Sequence, residues 1–309
     1  MAFELQNSQV FFRDKFVPFD QANVSIASSS VLYGLCVYTV FGVSCNTQED
    51  ALYAFRLRDH YKRLVNSAKI MDFHSFANDW PYERFEATIK DLLSKNQIKE
   101  DVLVRASIFV DEIMAGTRIH DLKQSFSAYV CPMKQVLEPS GVNVCVSSWQ
   151  RTADNAIPSR AKVNGSYANS SLMKNEALLN GYDEAIALDQ HGHVSEGSVE
   201  NLFIVRDGVL ITPDPATDIL EGITRDTVLR LANIQGIPVL ERSIDRSELY
   251  IADEVFMCGS SVRVVPVLTI DKRPINHQKI GPITKQIDAL FKTSQHTKTL
   301  DYPAWLTKI

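Results

Sequence analysis

The chain has 309 residues, 45% of them hydrophobic and 22% charged, with a formal net charge of −5. That length suits about two domains with sizeable cores, and the composition is that of an ordinary globular protein. An acidic balance without a lysine or arginine block excludes a basic field for nucleic acid or for an anionic membrane surface. No apolar stretch approaches the roughly 20 residues of a membrane span. Met1–Asn7 lacks the basic start and apolar run of a signal peptide. Cys36, Cys45, Cys131, Cys145 and Cys258 are scattered without a CxxC pair. They read as reduced thiols, so a cytoplasmic setting is expected.

Val10–Pro18 reads as a strand, a charged turn at Arg13-Asp14 and a second short strand. Leu32–Ser44, rich in Val, Tyr and Phe and interrupted by Gly34 and Gly42, suits sheet. Helical spacing predicts a helix over Arg58–Met71, with Tyr61, Leu64, Val65 and Ala68 on one side. A second amphipathic helix is predicted over Glu83–Lys95, turning Phe85, Ile89, Leu92 and Leu93 inward. Leu103–Val110 and Ser125–Cys131 read as strands. Pro132, Pro139 and Gly141 mark a linker. The expected organisation is α+β: a small N-terminal α/β domain over residues 1–131, a linker at 132–141 and a larger domain over 142–309.

In that larger part Val142–Ser148 is a predicted strand, and Ser171–Asn180 a helix closed by Gly181. Ala185–Asp189 and Gly192–Val194 form a hairpin leading to Glu196. Asp207-Gly208 signals another between Leu202–Val205 and Val209–Ile211. A helix is predicted over Thr224–Gln235, strands over Glu254–Cys258 and Arg263–Leu268, and a late helix over Gly281–Lys292.

Several residues along this order suit pyridoxal phosphate chemistry. Such chemistry needs a lysine that forms an imine with the cofactor and moves the substrate Cα proton, which Lys162 supplies. Tyr167 suits the ring's phenolic oxygen, although alone it reads as a core tyrosine. An acid beneath the pyridine nitrogen maintains the electron sink, a role open to Glu196, with Glu200 and Asn201 bracing its loop. Gly222-Ile223-Thr224 opens a helix whose amides favour an anion. Ser260 in the Gly259-Ser260-Ser261 turn adds a hydroxyl, and Arg58 offers a bidentate clamp. His191-Gly192-His193 reads as a hairpin tip, with no accompanying ligand set at zinc spacing, so no metal is expected.

Tyr182–Asp189, Ser195–Phe203 and Gly222-Ile223-Thr224-Arg225-Asp226 closely resemble the fold-type IV, or class IV, pyridoxal-phosphate aminotransferases, nearest the bacterial branched-chain enzymes. The resemblance runs from about residue 9 to 270. It implies a larger pseudo-barrel α/β domain after the small one, an active site between them, and a homodimer or higher homo-oligomer. It makes Lys162 the Schiff-base lysine, Tyr167 the partner of the ring hydroxyl and Glu196 that of the pyridine nitrogen. Arg58, Ile223, Thr224 and Ser260 then surround the phosphate. Tyr33 and the loop Met114-Ala115-Gly116-Thr117 match positions that reach the neighbouring subunit's pocket. Tyr33, Tyr38, Arg105, Thr117, Met133 and Ser261 are the candidate substrate contacts.

The family's Tyr-x-Arg pair is here Leu103-Val104-Arg105, and its Phe-Glu-Gly is Tyr38-Thr39-Val40. The expected reaction is a ping-pong transfer of an amino group from an L-branched-chain or related hydrophobic amino acid to 2-oxoglutarate. Tyr38, Thr39 and Leu103 keep open D-amino-acid or (R)-amine transamination on the same fold. Aminodeoxychorismate lyase and a non-catalytic cofactor-binding protein remain as further alternatives.

Overall fold

The computed structural model describes residues 3–73, 76–114, 116–134, 136–296 and 303–309. The chain folds as two compact units: Met1–Lys134 with Ala161–Gly165 and Ser294–Ile309, and Gln135–Arg160 with Ser166–Thr293.

The first unit holds a seven-stranded sheet. Its strands are β1 (Gln9–Phe12), β2 (Lys15–Pro18), β3 (Cys36–Asn46), β4 (Ala51–Phe55), β5 (Val102–Val110), β6 (Gln124–Pro132) and, from the end of the chain, β16 (Leu306–Lys308). They lie in the order β16-β4-β3-β5-β6-β1-β2. Arg13 and Asp14 both take positive φ, the twist a two-residue hairpin turn needs between Phe12 and Lys15. The two amphipathic helices are α2 (Leu57–Ile70) and α4 (Tyr82–Lys95), preceded by the short turns α1 (Ser29–Leu32) and α3 (Phe76–Asp79). Phe85, Ile89, Leu92 and Leu93 of α4 are buried as the spacing predicts.

Three expectations need correction here. Leu32 ends a helical turn rather than starting a strand; Gly34, at φ +68°, redirects the chain before β3. The buried stripe of α2 is Leu57, His60, Leu64, Ser67 and Ala68, whereas Tyr61 and Val65 are half-buried. Two polar residues thus face inward, because each finds a hydrogen-bond partner there. Finally, two stretches expected within 142–309 join the first unit. Leu306–Lys308 pairs antiparallel with β4, and Val163 bridges Val37, so both cover strand edges that would otherwise stay unpaired.

The second unit carries a nine-stranded mixed sheet. It comprises β7 (Val142–Val146), β8 (Glu184–Leu188), β9 (Val194–Gly197), β10 (Asn201–Arg206), β11 (Val209–Thr212), β12 (Val239–Glu241), β13 (Glu254–Gly259), β14 (Arg263–Ile270) and β15 (Arg273–Pro274). The order is β12-β11-β10-β13-β14-β7-β8-β9, with β15 on β14. Its helices are α5 (Tyr167–Leu179), α6 (Ile223–Ile234) and α7 (Pro282–His296). Val144, Ile186, Leu202, Ile204, Met257 and Val265 are in one core cluster of this sheet. Met173 and Ala177 of α5 pack on Ala185 and Ala187. The expected α+β character holds in both units. Among the described residues no helix is long and apolar enough to cross a membrane.

Candidate active site

In the first unit the backbone places Lys162. Its N–H donates to Ser67 Oγ at 3.1 Å, and its carbonyl accepts from Tyr38 N–H at 3.0 Å. Gly34 makes this approach possible, since a Cβ there would lie 2.7 Å from the Cα of Gly165. Register then decides what shares the lysine's face. Val37 opposes Val163, so Lys162 falls opposite Tyr38; Tyr38 opposes Ser107, and Val40 opposes Arg105. Alternation puts Lys162, Tyr38, Arg105, Ser107 and Tyr129 on one side of the sheet.

The side chains agree with that register. The Lys162 Nζ is 5.0 Å from the centroid of the Tyr38 ring, and the Arg105 guanidinium lies 3.6 Å over the same ring. Arg105 Nη2 also donates to Asn164 Oδ1 at 3.2 Å. A cavity of about 380 Å³ opens on this face, walled by Phe12, Phe109, Cys36 and Tyr129 and reaching Arg105 and Asn164. Burial pushes the Cys36 thiol up to about 11, against the opposing pull of Arg105, so it stays a neutral part of the wall. Leu103, two residues from Arg105, shares its side of the strand and is buried.

Arg58 is exposed, with its guanidinium 3.8 Å over the ring of Tyr82 on α4. A different arginine of the helix, Arg63, shares the Lys162 neighbourhood. It stands one turn from Ser67, and its Nη2 reaches Thr39 Oγ1 at 3.4 Å. A helical face through Tyr61 and Val65 leaves Arg63 out, whereas the face through His60 and Ser67 includes it. Tyr33 meets the loop that ends in Thr117: Gly116 N–H donates to Tyr33 Oη at 3.3 Å, with Thr117 exposed beside it. Ala115 of that loop lies outside the described residues. Met133 is half-buried just past β6.

The second unit places an acid. Glu196, on β9 and 3% exposed, is held from several directions. Arg151 Nη2 pairs with its Oε1 at 2.6 Å. Its Oε2 accepts from Asn201 Nδ2 at 2.8 Å and from Leu220 N–H at 3.1 Å. The cation and the two N–H donors compensate the burial of its charge. Gly222 keeps this cradle open, because a Cβ there would lie 2.0 Å from Asn201 Oδ1. Arg151 is a site residue that sequence spacing does not reveal, standing 45 positions before Glu196.

Ile223 and Thr224 begin α6 behind Gly222, which has no side chain to cap the first turn. Tyr167 is the first residue of α5, earlier than the spacing predicts. Ser260 and Ser261 are half-buried in the turn joining β13 to β14. Glu200 is buried; it accepts Gly197 N–H on its carbonyl at 2.7 Å and Val199 N–H on Oε2 at 3.3 Å, closing the loop after Glu196. Burial, reinforced by Glu184, pushes its carboxyl up to about 8.

Residues 38–270 match the model of the amino-transferase class IV family. The chain belongs to that family and is an aminotransferase. A probable branched-chain-amino-acid aminotransferase of Aquifex aeolicus is 40% identical over 301 residues, spanning 97% of this chain and 96% of that protein. The Escherichia coli K12 branched-chain-amino-acid aminotransferase is 35% identical over 308 residues, with 97% of both chains covered. Among solved structures, the branched-chain aminotransferase of Thermoproteus uzoniensis with norvaline superposes with a TM-score of 0.91 at 37% identity, covering 97% of this chain and 99% of that one. That of Thermobaculum terrenum, in its PLP-form, gives 0.92 at 31% identity, covering 99% of each.

Proposed function

We propose that this aminotransferase takes the amino group of an L-branched-chain or related hydrophobic amino acid and passes it to 2-oxoglutarate by a ping-pong route. The observation that carries this is the face holding Lys162 Nζ, Tyr38 and Arg105 beside a cavity of about 380 Å³ whose wall is mostly apolar, with Arg105 and Asn164 among its polar groups. A space of that size and lining suits a compact apolar side chain, and a guanidinium at its edge suits a carboxylate. The full-length similarity to branched-chain aminotransferases supports the same substrate class.

Pyridoxal 5′-phosphate is the cofactor, and each unit offers groups that suit it: an amine at Lys162 in the first, and in the second a buried carboxylate at Glu196 and the helix start behind Gly222. When bound it supplies an aldehyde that captures amines and a ring that withdraws electrons from the substrate Cα. Lys162 Nζ would hold the cofactor through its aldehyde carbon and, once displaced there by the substrate's amine, would be the free base for the Cα proton. Glu196 holds a proton on the pyridine nitrogen, its own position fixed by Arg151, Asn201 and Leu220. Tyr167 orients the ring's phenolic oxygen. The amides of Ile223 and Thr224, the Ser260 hydroxyl and the Arg63 guanidinium bind phosphate; Arg63 replaces Arg58, which is engaged with Tyr82. Arg105 and Ser261 receive the substrate carboxylate, with Tyr38 and Met133 along its side chain.

A homodimer working in the cytoplasm completes the reading. Ile26, Val31, Leu32 and Ile113 are all more than half exposed, and the Ser28–Ile113 bridge brings them together. Such a patch needs a cover, and a second copy provides one. Tyr33 and the loop ending in Thr117 then serve the partner's pocket.

The test is a half-reaction: cofactor-loaded protein with L-leucine alone, followed by visible absorbance. Loss of the cofactor's visible band with formation of pyridoxamine phosphate is expected. Leu103 in place of a phenol beside Arg105 favours, as a second reading, D-amino acids or (R)-amines. Bleaching by D-alanine or (R)-1-phenylethylamine, with none by L-leucine, selects that reading.

A further inference from the structure

Thr39 follows Tyr38 on β3 and therefore points to the opposite face, toward α2, where it is completely buried. Its Oγ1 lies 2.8 Å from Nδ1 of His60 and 3.4 Å from Nη2 of Arg63. A guanidinium has donors only, so the hydroxyl oxygen accepts from Arg63, and its proton or its second lone pair serves His60 Nδ1 according to the imidazole tautomer. Donation of the hydroxyl proton to Nδ1 requires a neutral imidazole. His60 meets the requirement, because burial and then the charges of Arg63, Arg56 and Lys162 hold its pKa well below the ordinary value. His60 and Arg63 share α2 with Ser67, whose hydroxyl receives the Lys162 N–H. One strand and one helix thus hold both the Lys162 backbone and the Arg63 guanidinium.

We propose that Thr39 is a positioning residue for the phosphate of the cofactor: its hydroxyl, braced by His60, sets the place and direction of the Arg63 guanidinium. The proposal rests on the reading of Arg63 as a phosphate-binding residue. A valine at 39 has nearly the shape of threonine but neither donates nor accepts, so it cuts the Arg63–Thr39–His60 chain. A serine restores it.

The experiment compares two ligands on the same protein. Apo-protein is titrated with pyridoxal phosphate and with pyridoxal, which lacks the phosphate, and the ratio of the two dissociation constants is the phosphate's share of binding. Thr39→Val should weaken pyridoxal phosphate by about tenfold and leave pyridoxal unchanged, the size expected for cutting one buried hydrogen-bond chain to a charged group. Thr39→Ser should restore the ratio. Equal losses for both ligands, an unaltered ratio in Thr39→Val, or a serine variant as weak as the valine one would each overturn the proposal. Arg63→Met separates the two levels of inference. A collapsed ratio there beside an intact one in Thr39→Val rejects only the role of Thr39. An intact ratio in Arg63→Met rejects the phosphate reading of Arg63, and the proposal with it.

Discussion

The two units hold their key side chains by different means. Lys162 is fixed through its backbone, by Ser67 Oγ and Tyr38 N–H, and by the close pass of Gly34 against Gly165. Glu196 is fixed through its side chain, by Arg151, Asn201 and Leu220 N–H. Under the proposed roles, the group that moves a proton is placed through its backbone. A group that must only hold a charge in one place is itself tied down. Function and stability should therefore separate cleanly at Lys162 and stay entangled at Glu196.

Lys162→Ala tests the first half and should have the largest effect. Multiple turnover should fall by about 10⁴-fold, the upper range for loss of a positioned acid–base group, with more lost through the missing imine. Because both backbone hydrogen bonds survive, the melting temperature of the apo-protein should barely change. A large drop in apo-protein stability would show that the side chain, not the backbone, organises this segment.

Arg151→Met tests the second half. It leaves a buried carboxylate without its cation, and breaking such a pair costs about 3–5 kcal/mol. Denaturant unfolding of the apo-protein should show a loss of that order. Adding Glu196→Gln should recover most of it, because a neutral amide no longer needs the guanidinium, while transamination stays impaired. If the double variant is as unstable as the single one, Arg151 matters for packing rather than for charge.

A smaller effect is expected from Gly34→Ala, which strains a backbone at φ +68° and drives a Cβ to 2.7 Å from the Cα of Gly165. The cost should be about 1–3 kcal/mol. Unlike Lys162→Ala, it should cost stability as well as turnover, because it displaces the lysine's backbone. Full activity in a destabilised Gly34→Ala protein would detach the Gly34–Gly165 contact from the site.

The sequence was most legible where local rules act alone. The Arg13-Asp14 and Asp207-Gly208 turns, the inward face of α4 and the hairpin leading to Glu196 follow from turn chemistry and periodicity. Lys162 and Glu196 suggest their proposed roles by chemistry alone, since an amine and an acid in that order suit one cofactor. What stayed hidden depends on contacts distant in sequence. His60 and Ser67 look like surface residues until Thr39 and Lys162 supply their partners, and this masks Arg63. Arg151 becomes a site residue only through folding onto Glu196. The last strand, Leu306–Lys308, gives no local sign that its partner is Ala51–Phe55.

Glu200 sharpens the comparison at its weakest setting, because among the described residues no cation pairs with it, although it sits in the same loop as Glu196. Burial and Glu184 push its carboxyl from 4.5 up to about 8, so the folded protein keeps a proton there that the unfolded chain has released. Where the folded state binds more protons, stability falls as pH rises. The contribution of Glu200 is thus full below about pH 4.5, declines through neutrality and levels off once pH passes about 8. Glu200→Gln removes this dependence while keeping a neutral side chain of the same shape. Melting temperatures of both proteins between pH 6 and 9 should show the native protein losing ground to the variant up to about pH 8, then running parallel. Curves parallel throughout would mean that Glu200 is ionised in the fold, held by charge in the manner of Glu196 rather than by a retained proton.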